Sequence, residues 1–152
     1  MKLDDISPIE FSTPAAIHKI LKQWVQGNTT KVGTLKIKKA DRYVETGTTL
    51  YRGVELSPED FASLKSGDTI ELPSKGFSSW SEDAQIAKDF AFGSGGSHGV
   101  VFKRDASKLS IWLNIDLFIF RNKLLELSTE REIIVKDTPA SLRFSKIDTL
   151  QV

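Results

Sequence analysis

The order of helix-like and strand-like segments constrains the fold of this chain more than any single motif. The first long pattern is helical from Pro14, the first helical position, until Gly27 and Asn28 end it, with Ser12 and Thr13 as capping hydroxyls. Strand-like segments crowd the second half, namely "VVFKR", "SIWLNI", "EREIIV" and "RFSKIDTL" (residues 100–104, 110–115, 130–135 and 143–150). Helices followed by strands predict an α+β fold, with helices packed on a largely antiparallel sheet or sandwich.

The middle of the chain contains both kinds of element. "TLYRGVEL" (49–56) and "KGFSSWS" (75–81) are predicted strands. A short helix is predicted from Pro58 until Gly67, and residues 82–92 are a predicted helix with Ser81 as its N-cap. The glycine-rich stretch "GSGGSHG" (93–99) is predicted to be a flexible loop.

Length and charge limit the kind of protein. The 152 residues suit one domain, 1–152, with a helical N-terminal part over about 1–45 and a β-rich core over about 46–152. A formal net charge of +1 gives no electrostatic case for a nucleic-acid or membrane partner. The N-terminus "MKLDDISPIEF" lacks the apolar stretch of a signal peptide, and no apolar run approaches the length of a membrane span.

The residue inventory also limits the chemistry. The chain has no cysteine, which excludes disulfides, thiolate metal sites and a cysteine nucleophile. A zinc site or a serine–histidine–aspartate triad would have to use His18 and His98, the only two histidines. Both are expected to be surface residues, so no metal is expected.

Arg52 alternates with Leu50 and Val54 and is therefore predicted to lie among apolar residues on one strand face. An arginine there needs a partner because it cannot lose its charge. A structural ion pair satisfies this need, and so does a phosphate held by two parallel hydrogen bonds. Gly53 would let a ligand approach the backbone closely.

Glu130 and Glu132 stand two apart in "EREIIV". Residues at this spacing in a strand share one face, so both carboxylates are predicted to lie beside Ile134, with Ile133 and Val135 on the opposite face. Two adjacent carboxylates repel each other when they are desolvated. They therefore indicate either an exposed strand edge or a cleft in which one acid faces a developing cation.

The stretch "GFSSWSEDAQIAKDF" (76–90) places Ser79 and Ser81 around Trp80 at the end of a predicted strand. Ser81 is explained by helix capping alone. Ser79 is not needed for a cap, and its hydroxyl is suited to holding a carboxylate or a ribose. Trp80 is predicted to be a core residue, with a stacking surface as the alternative.

In this order, "LYRGVE", "GFSSWSEDAQIAKDF" and "EREIIV" resemble the mono-ADP-ribosyltransferases of the arginine–serine–glutamate class. The resemblance spans residues 50–135 and implies a two-sheet, mostly antiparallel β core of that type with helices ahead of it. Trp80 departs from the family, which usually has threonine between the two serines.

The resemblance implies the roles of the site residues. Glu132 would be the catalytic carboxylate, Ser79 would position it together with the ribose, and Ser81 would support the turn. Residues that bind NAD, the co-substrate, would include Tyr51, Arg52 through the phosphates, Gly53 through its backbone and Phe90 against nicotinamide. Residues 93–99 would close on NAD.

The resemblance also implies the acceptor. Glu130 would orient or deprotonate an arginine on a protein acceptor, which residues 121–129 would contact. A transferase of this kind acts in a cytosol, as a delivered toxin with a neutralising partner or as a phage enzyme that modifies host proteins. The same residues are consistent with an NAD glycohydrolase, and the same fold with a catalytically silent binding module.

Overall fold

The computed structural model describes residues 10–27, 31–93, 95–123 and 131–151. These contain four α-helices: α1 Pro14–Val25, α2 Pro58–Lys65, α3 Ala84–Phe92 and α4 Ile115–Asn122. They contain eight strands: β1 Thr49–Glu55, β2 Ile70–Glu71, β3 Phe77–Ser81, β4 Gly99–Asp105, β5 Ser110–Asn114, β6 Glu132–Lys136, β7 Arg143–Phe144 and β8 Thr149–Gln151. Short 3₁₀ turns lie at Val32–Thr34, Lys39–Arg42, Ala106–Lys108, Ala140–Leu142 and Lys146–Asp148.

The strands form two antiparallel sheets. The larger sheet has six strands in the order β5-β6-β3-β1-β4-β8, and the smaller one pairs β2 with β7. The predicted α+β class with a mostly antiparallel sheet is therefore confirmed.

The six-stranded sheet is divided in the middle. β1 pairs with β4 along its whole length, from Thr49 to Glu55, and β3 pairs with β6 along its whole length. Between β1 and β3 the only paired position is Tyr51 with Ser81. Two three-stranded halves, β5-β6-β3 and β1-β4-β8, are thus joined at one position and separate beyond it.

Apolar side chains cover both faces of the larger sheet. On one face, α1 and α4 pack over the half that contains β5 and β6, through residues such as Leu21, Phe118 and Ile134. On the other face lies the largest core cluster, which includes Trp80 and Phe102 and extends to α2 and the small sheet. Trp80 is 1% exposed, which confirms its prediction as a core residue.

α3 packs closely on the second half of the sheet because Gly53 has no side chain. A Cβ at Gly53 would lie 1.8 Å from the carbonyl oxygen of Ala87 and 2.8 Å from the amide nitrogen of Ala91. Ala87, Ala91 and Val101 form a small buried cluster at this contact. The sequence assigned the missing Cβ of Gly53 to a ligand, whereas the structure shows that a helix occupies that space.

One prediction about the order of elements is corrected. Helices α2 and α3 lie between strands as predicted, and a further helix, α4, lies between β5 and β6. The segment "SIWLNI" is a strand only until Asn114, whose side chain accepts a hydrogen bond of 3.2 Å from Leu117 and caps α4. Helix α4 was missed because its apolar residues continue the apolar run of the preceding strand.

We predict that Gly53→Ala destabilises the fold by roughly 1–3 kcal/mol, because the added methyl group overlaps the backbone of α3. Urea unfolding followed by circular dichroism measures the change. Thr49→Ala, an exposed position of the same strand, is the control and should change stability by no more than about 0.5 kcal/mol. Equal stability of Gly53→Ala and the wild type would contradict this packing.

Candidate functional site

A pocket of about 630 Å³ opens where β1 and β3 separate. Its walls are the C-terminal end of α1, strands β1 and β3, one side of α3, and the first residue of β6. Its volume falls within the range of about 300–1,000 Å³ that is typical of sites for small molecules and cofactors. Residues from segments that are far apart in the sequence converge here: Trp24, Val25, Gly27, Tyr51, Arg52, Gly53, Val54, Glu55, Phe77, Ser78, Ser79, Trp80, Ser81, Ile86, Ala87, Phe90 and Glu132.

Glu132 enters the pocket at the first residue of β6, where it pairs with Ser81 of β3. The indole N–H of Trp24, in α1, donates a hydrogen bond to the carboxylate oxygen Oε2 of Glu132. Trp24 is buried and Glu132 is half-buried, so this contact fixes the carboxylate in a position partly shielded from water.

The chain turns sharply just before Glu132. Arg131 has a left-handed backbone, with φ of 53°, and its guanidinium contacts the carboxylate of Glu82 at 2.8 Å. β6 therefore begins at Glu132, later than the predicted strand. Within β6 the predicted alternation is correct: Ile134 packs with α1, whereas Ile133 and Val135 pack in the opposite core.

Arg52 reaches the pocket from the side of the large core, and it lies between Leu50 and Val54, as the alternation predicted. Its Nη1 atom is buried and has no hydrogen-bond partner in the described part of the chain. Burial lowers the pKa of the guanidinium below its ordinary value, and the negative charge of Asp137 partly offsets this effect. A buried cation with an unused donor is suited to receiving an anion.

All three serines of β3 line the pocket, and two of them also make hydrogen bonds that support the fold. Ser78 is buried and accepts a hydrogen bond of 3.0 Å from the indole of Trp80. Ser81 accepts a hydrogen bond of 3.0 Å from the backbone N–H of Asp83, and the side chain of Asp83 caps α3. The predicted N-cap at Ser81 is therefore corrected to Asp83, and Ser81 supports the turn before it. Ser79 is half-buried and lines the pocket.

Two aromatic residues complete the wall formed by β1 and α3. Phe90 is 58% exposed and lines the pocket, so core packing of the helix does not explain it. Tyr51 is partly buried against the cluster of Ala87 and Ala91, and it also lines the pocket. The backbone of Gly53 lines the pocket beside them, even though its missing side chain serves the contact with α3.

The structure brings together in one pocket all the predicted site residues that it describes: Tyr51, Arg52, Gly53, Ser79, Ser81, Phe90 and Glu132. Glu130 lies outside the described residues, as do residue 94 of the predicted loop 93–99 and most of the predicted loop 121–129. Residues 121 and 122 of that second loop belong to α4.

Sequence reasoning missed Trp24 and Glu55 as pocket residues. Helical spacing predicts Trp24 on the apolar face of α1, where its ring does lie, but it does not identify the partner of the N–H group. Glu55, at the end of β1, looks like an ordinary exposed strand end. Only the separation of β1 from β3 makes it part of a pocket.

Within residues 10–27, 31–93, 95–123 and 131–151, no group of three or more histidine or acidic residues could hold a metal ion. No helix among those residues is long and apolar enough to cross a bilayer.

The chain was compared with protein-family models, with curated proteins and with solved structures, and none of them matches it.

We predict that Trp24→Phe destabilises the fold by about 1.5–3 kcal/mol, because it removes a hydrogen bond to a charged and partly buried acceptor. Trp112→Phe is the matched control. It makes the same change in size in the same core region, but it removes a 3.0 Å bond to the neutral carbonyl of Val32. Its cost should be about 0.5–1.5 kcal/mol. Chemical denaturation measures both, and a cost for Trp24→Phe no larger than the control would contradict the contact with Glu132.

Proposed function

We propose that the chain transfers ADP-ribose from NAD to an arginine side chain of a protein acceptor and releases nicotinamide. The two sheet halves with the pocket between them would be an ADP-ribosyltransferase-type core. The observation that carries the proposal is that the carboxylate of Glu132 and the guanidinium of Arg52 line one pocket. The two charges match NAD, which has an anionic pyrophosphate and a ribose that becomes cationic when its bond to nicotinamide breaks.

Arg52 would hold the pyrophosphate of NAD. Its buried Nη1 donor would gain an acceptor, and its charge would be neutralised by the ligand. Asp137 contributes a negative charge near Arg52, but Nη1 makes no hydrogen bond to it. The charge of Asp137 favours the charged form of the guanidinium in the free protein. The Nη1 donor stays available for a hydrogen bond to the phosphate.

Glu132 would stabilise the transition state. When the bond between nicotinamide and C1′ of the ribose breaks, its electron pair goes to the nicotinamide nitrogen and positive charge develops on the ribose. A carboxylate that is already held in place lowers this barrier without reorganising during the reaction. The hydrogen bond from Trp24 supplies such preorganisation, because it orients the carboxylate through Oε2.

Other pocket residues would position the substrate. Ser79, on the same strand face as Ser81, is suited to hydrogen bonding with the nicotinamide ribose or with Glu132. Phe90, with its exposed ring at the pocket, is suited to contact with the nicotinamide ring. Tyr51 and the backbone of Gly53 line the wall between them.

The acceptor assignment rests on the sequence. Glu130, two residues before Glu132, would orient the arginine of the acceptor and take the proton that it loses when its nitrogen attacks C1′. Such an enzyme would act in a cytosol, either as a delivered toxin that needs a neutralising partner protein or as a phage enzyme that modifies host proteins. The near-neutral net charge favours a protein acceptor over a nucleic acid.

Two other functions are consistent with the same fold and are separated by experiment. An NAD glycohydrolase would release free ADP-ribose without labelling an arginine-rich protein. A silent binding module would show neither product, and calorimetry would detect no binding of NAD.

We predict that Glu132→Gln abolishes both NAD hydrolysis and transfer, with a loss of at least about 10²–10³-fold in kcat, because the amide cannot stabilise the developing cation. Release of nicotinamide from NAD measures the loss. Glu71→Gln, at an exposed position of β2 outside the pocket, is the control and should keep wild-type activity. Near-wild-type transfer by a folded Glu132→Gln protein would disprove the assignment.

A different result is expected for Glu130→Gln. It should impair transfer to arginine more than hydrolysis of NAD, because Glu130 would act on the acceptor and not on the bond to nicotinamide. Labelling of an arginine-rich protein and release of free ADP-ribose, measured in the same reaction, give the ratio of the two activities. An equal loss of both would assign Glu130 to the NAD chemistry instead.

A further inference from the structure

We propose that Glu55 binds the hydroxyl groups of the adenosine ribose and makes the protein select NAD over NADP. This inference rests on the proposed function, since it assigns the second ribose of the same substrate. Glu55 is the last residue of β1, its side chain is exposed, and it lines the pocket.

The strand registers place Glu55 on the same sheet face as Glu132. Paired residues of antiparallel strands point to the same face, so Tyr51, Ser81 and Glu132 share one face through their pairing across β1, β3 and β6. Glu55 shares that face with Tyr51 because it lies four residues further along the same strand. Both carboxylates therefore approach the pocket from one side.

The two carboxylates mark opposite ends of the pocket. Glu132 lies level with Tyr51 at the position where the two sheet halves are joined. Glu55 lies about 13 Å further along β1, because each strand residue advances about 3.3 Å. At this end β1 and β3 have separated, and the pocket is open between them.

Arg52 lies between these two ends along β1. Along β1 the order is therefore the level of Glu132, then Arg52, then Glu55, and Arg52 projects to the opposite face of the sheet from the two carboxylates. NAD has a ribose, an anionic pyrophosphate and a second ribose in the same order. With the pyrophosphate at Arg52 and the nicotinamide ribose at Glu132, the adenosine ribose would lie toward Glu55.

Gly96 and His98 lie beside the end of β1 that carries Glu55. A Cβ at Gly96 would lie 1.6 Å from the carboxylate oxygen Oε1 of Glu55, so the backbone of Gly96 packs directly against the carboxylate. The carbonyl of His98 accepts a hydrogen bond of 2.9 Å from the backbone N–H of Leu56, which holds this part of the chain against the end of β1. Glu55 is therefore confined on one side and faces the pocket on the other.

A carboxylate distinguishes the two nucleotides by charge and by hydrogen bonding. In NAD the adenosine ribose offers two adjacent hydroxyl donors, which suit the two oxygens of a carboxylate. In NADP one donor is replaced by a phosphate with a charge of about −1.5 to −2. Glu55 would then lose a hydrogen bond and face a like charge.

The test compares kcat/KM for NAD and NADP, measured by release of nicotinamide, in the wild type and in Glu55→Gln. We expect the wild type to prefer NAD by at least about 100-fold, since a site built to bind a hydroxyl strongly rejects an analogue that lacks it. In Glu55→Gln we expect kcat/KM for NAD to fall by roughly tenfold and the preference over NADP to fall by at least about tenfold, because the like charge is gone.

Glu59→Gln is the control, because Glu59 is an exposed acid on α2 outside the pocket. It should keep the wild-type ratio. If the wild type uses NAD but Glu55→Gln leaves the ratio between NAD and NADP unchanged, this inference is wrong and the proposed function stands. If the folded wild type neither binds nor cleaves NAD, the proposed function fails and the inference fails with it.

Discussion

The site depends on the single paired position between β1 and β3. Tyr51 and Ser81 join the two halves of the large sheet, and beyond them the strands leave the space that becomes the pocket. Continuous pairing there would fill this space with backbone hydrogen bonds. Since unpaired backbone groups in a sheet must otherwise meet water or a ligand, a gap between two well-paired halves is suited to binding a polar molecule. The helices α1 and α3 cover the same face on either side of the gap and form its walls.

The pocket combines features that stabilise the fold with features that cost stability. Arg52 is half-buried on the same face of β1 as Leu50 and Val54 of the large core, and its buried Nη1 donor is not used by the described protein groups. Such a donor costs about 1–3 kcal/mol when it is left unsatisfied. Asp137 reduces the electrostatic part of this cost through its charge. A residue that decreases stability in the free protein and carries the charge that an anionic ligand needs is more simply explained by binding than by folding.

Two residues at helix contacts, Gly53 and Trp24, take part both in packing the fold and in lining the pocket. Gly53 lets α3 approach β1 closely enough to form one wall, and its backbone lines the pocket in the same place. Trp24 contributes its ring to the core beneath α1 and donates its N–H to Glu132. In both cases the helix that buries apolar surface also sets the position of a polar group in the pocket. The geometry of the site is therefore as rigid as the core contacts that support it.

Local sequence patterns correctly predict the first residues of α1 and α2, the alternation along β1 and β6, and the core position of Trp80. Each of these follows from periodicity or capping over a few residues, which a sequence shows directly. The folded structure alone shows that the apolar run after Asn114 forms α4, that Asp83 and not Ser81 caps α3, and that β1 and β3 separate after one pair. It also decided that Trp24 and Glu55 belong to the pocket. These features arise from contacts between segments far apart in the chain, and no local pattern encodes which distant backbone or carboxylate a side chain will meet.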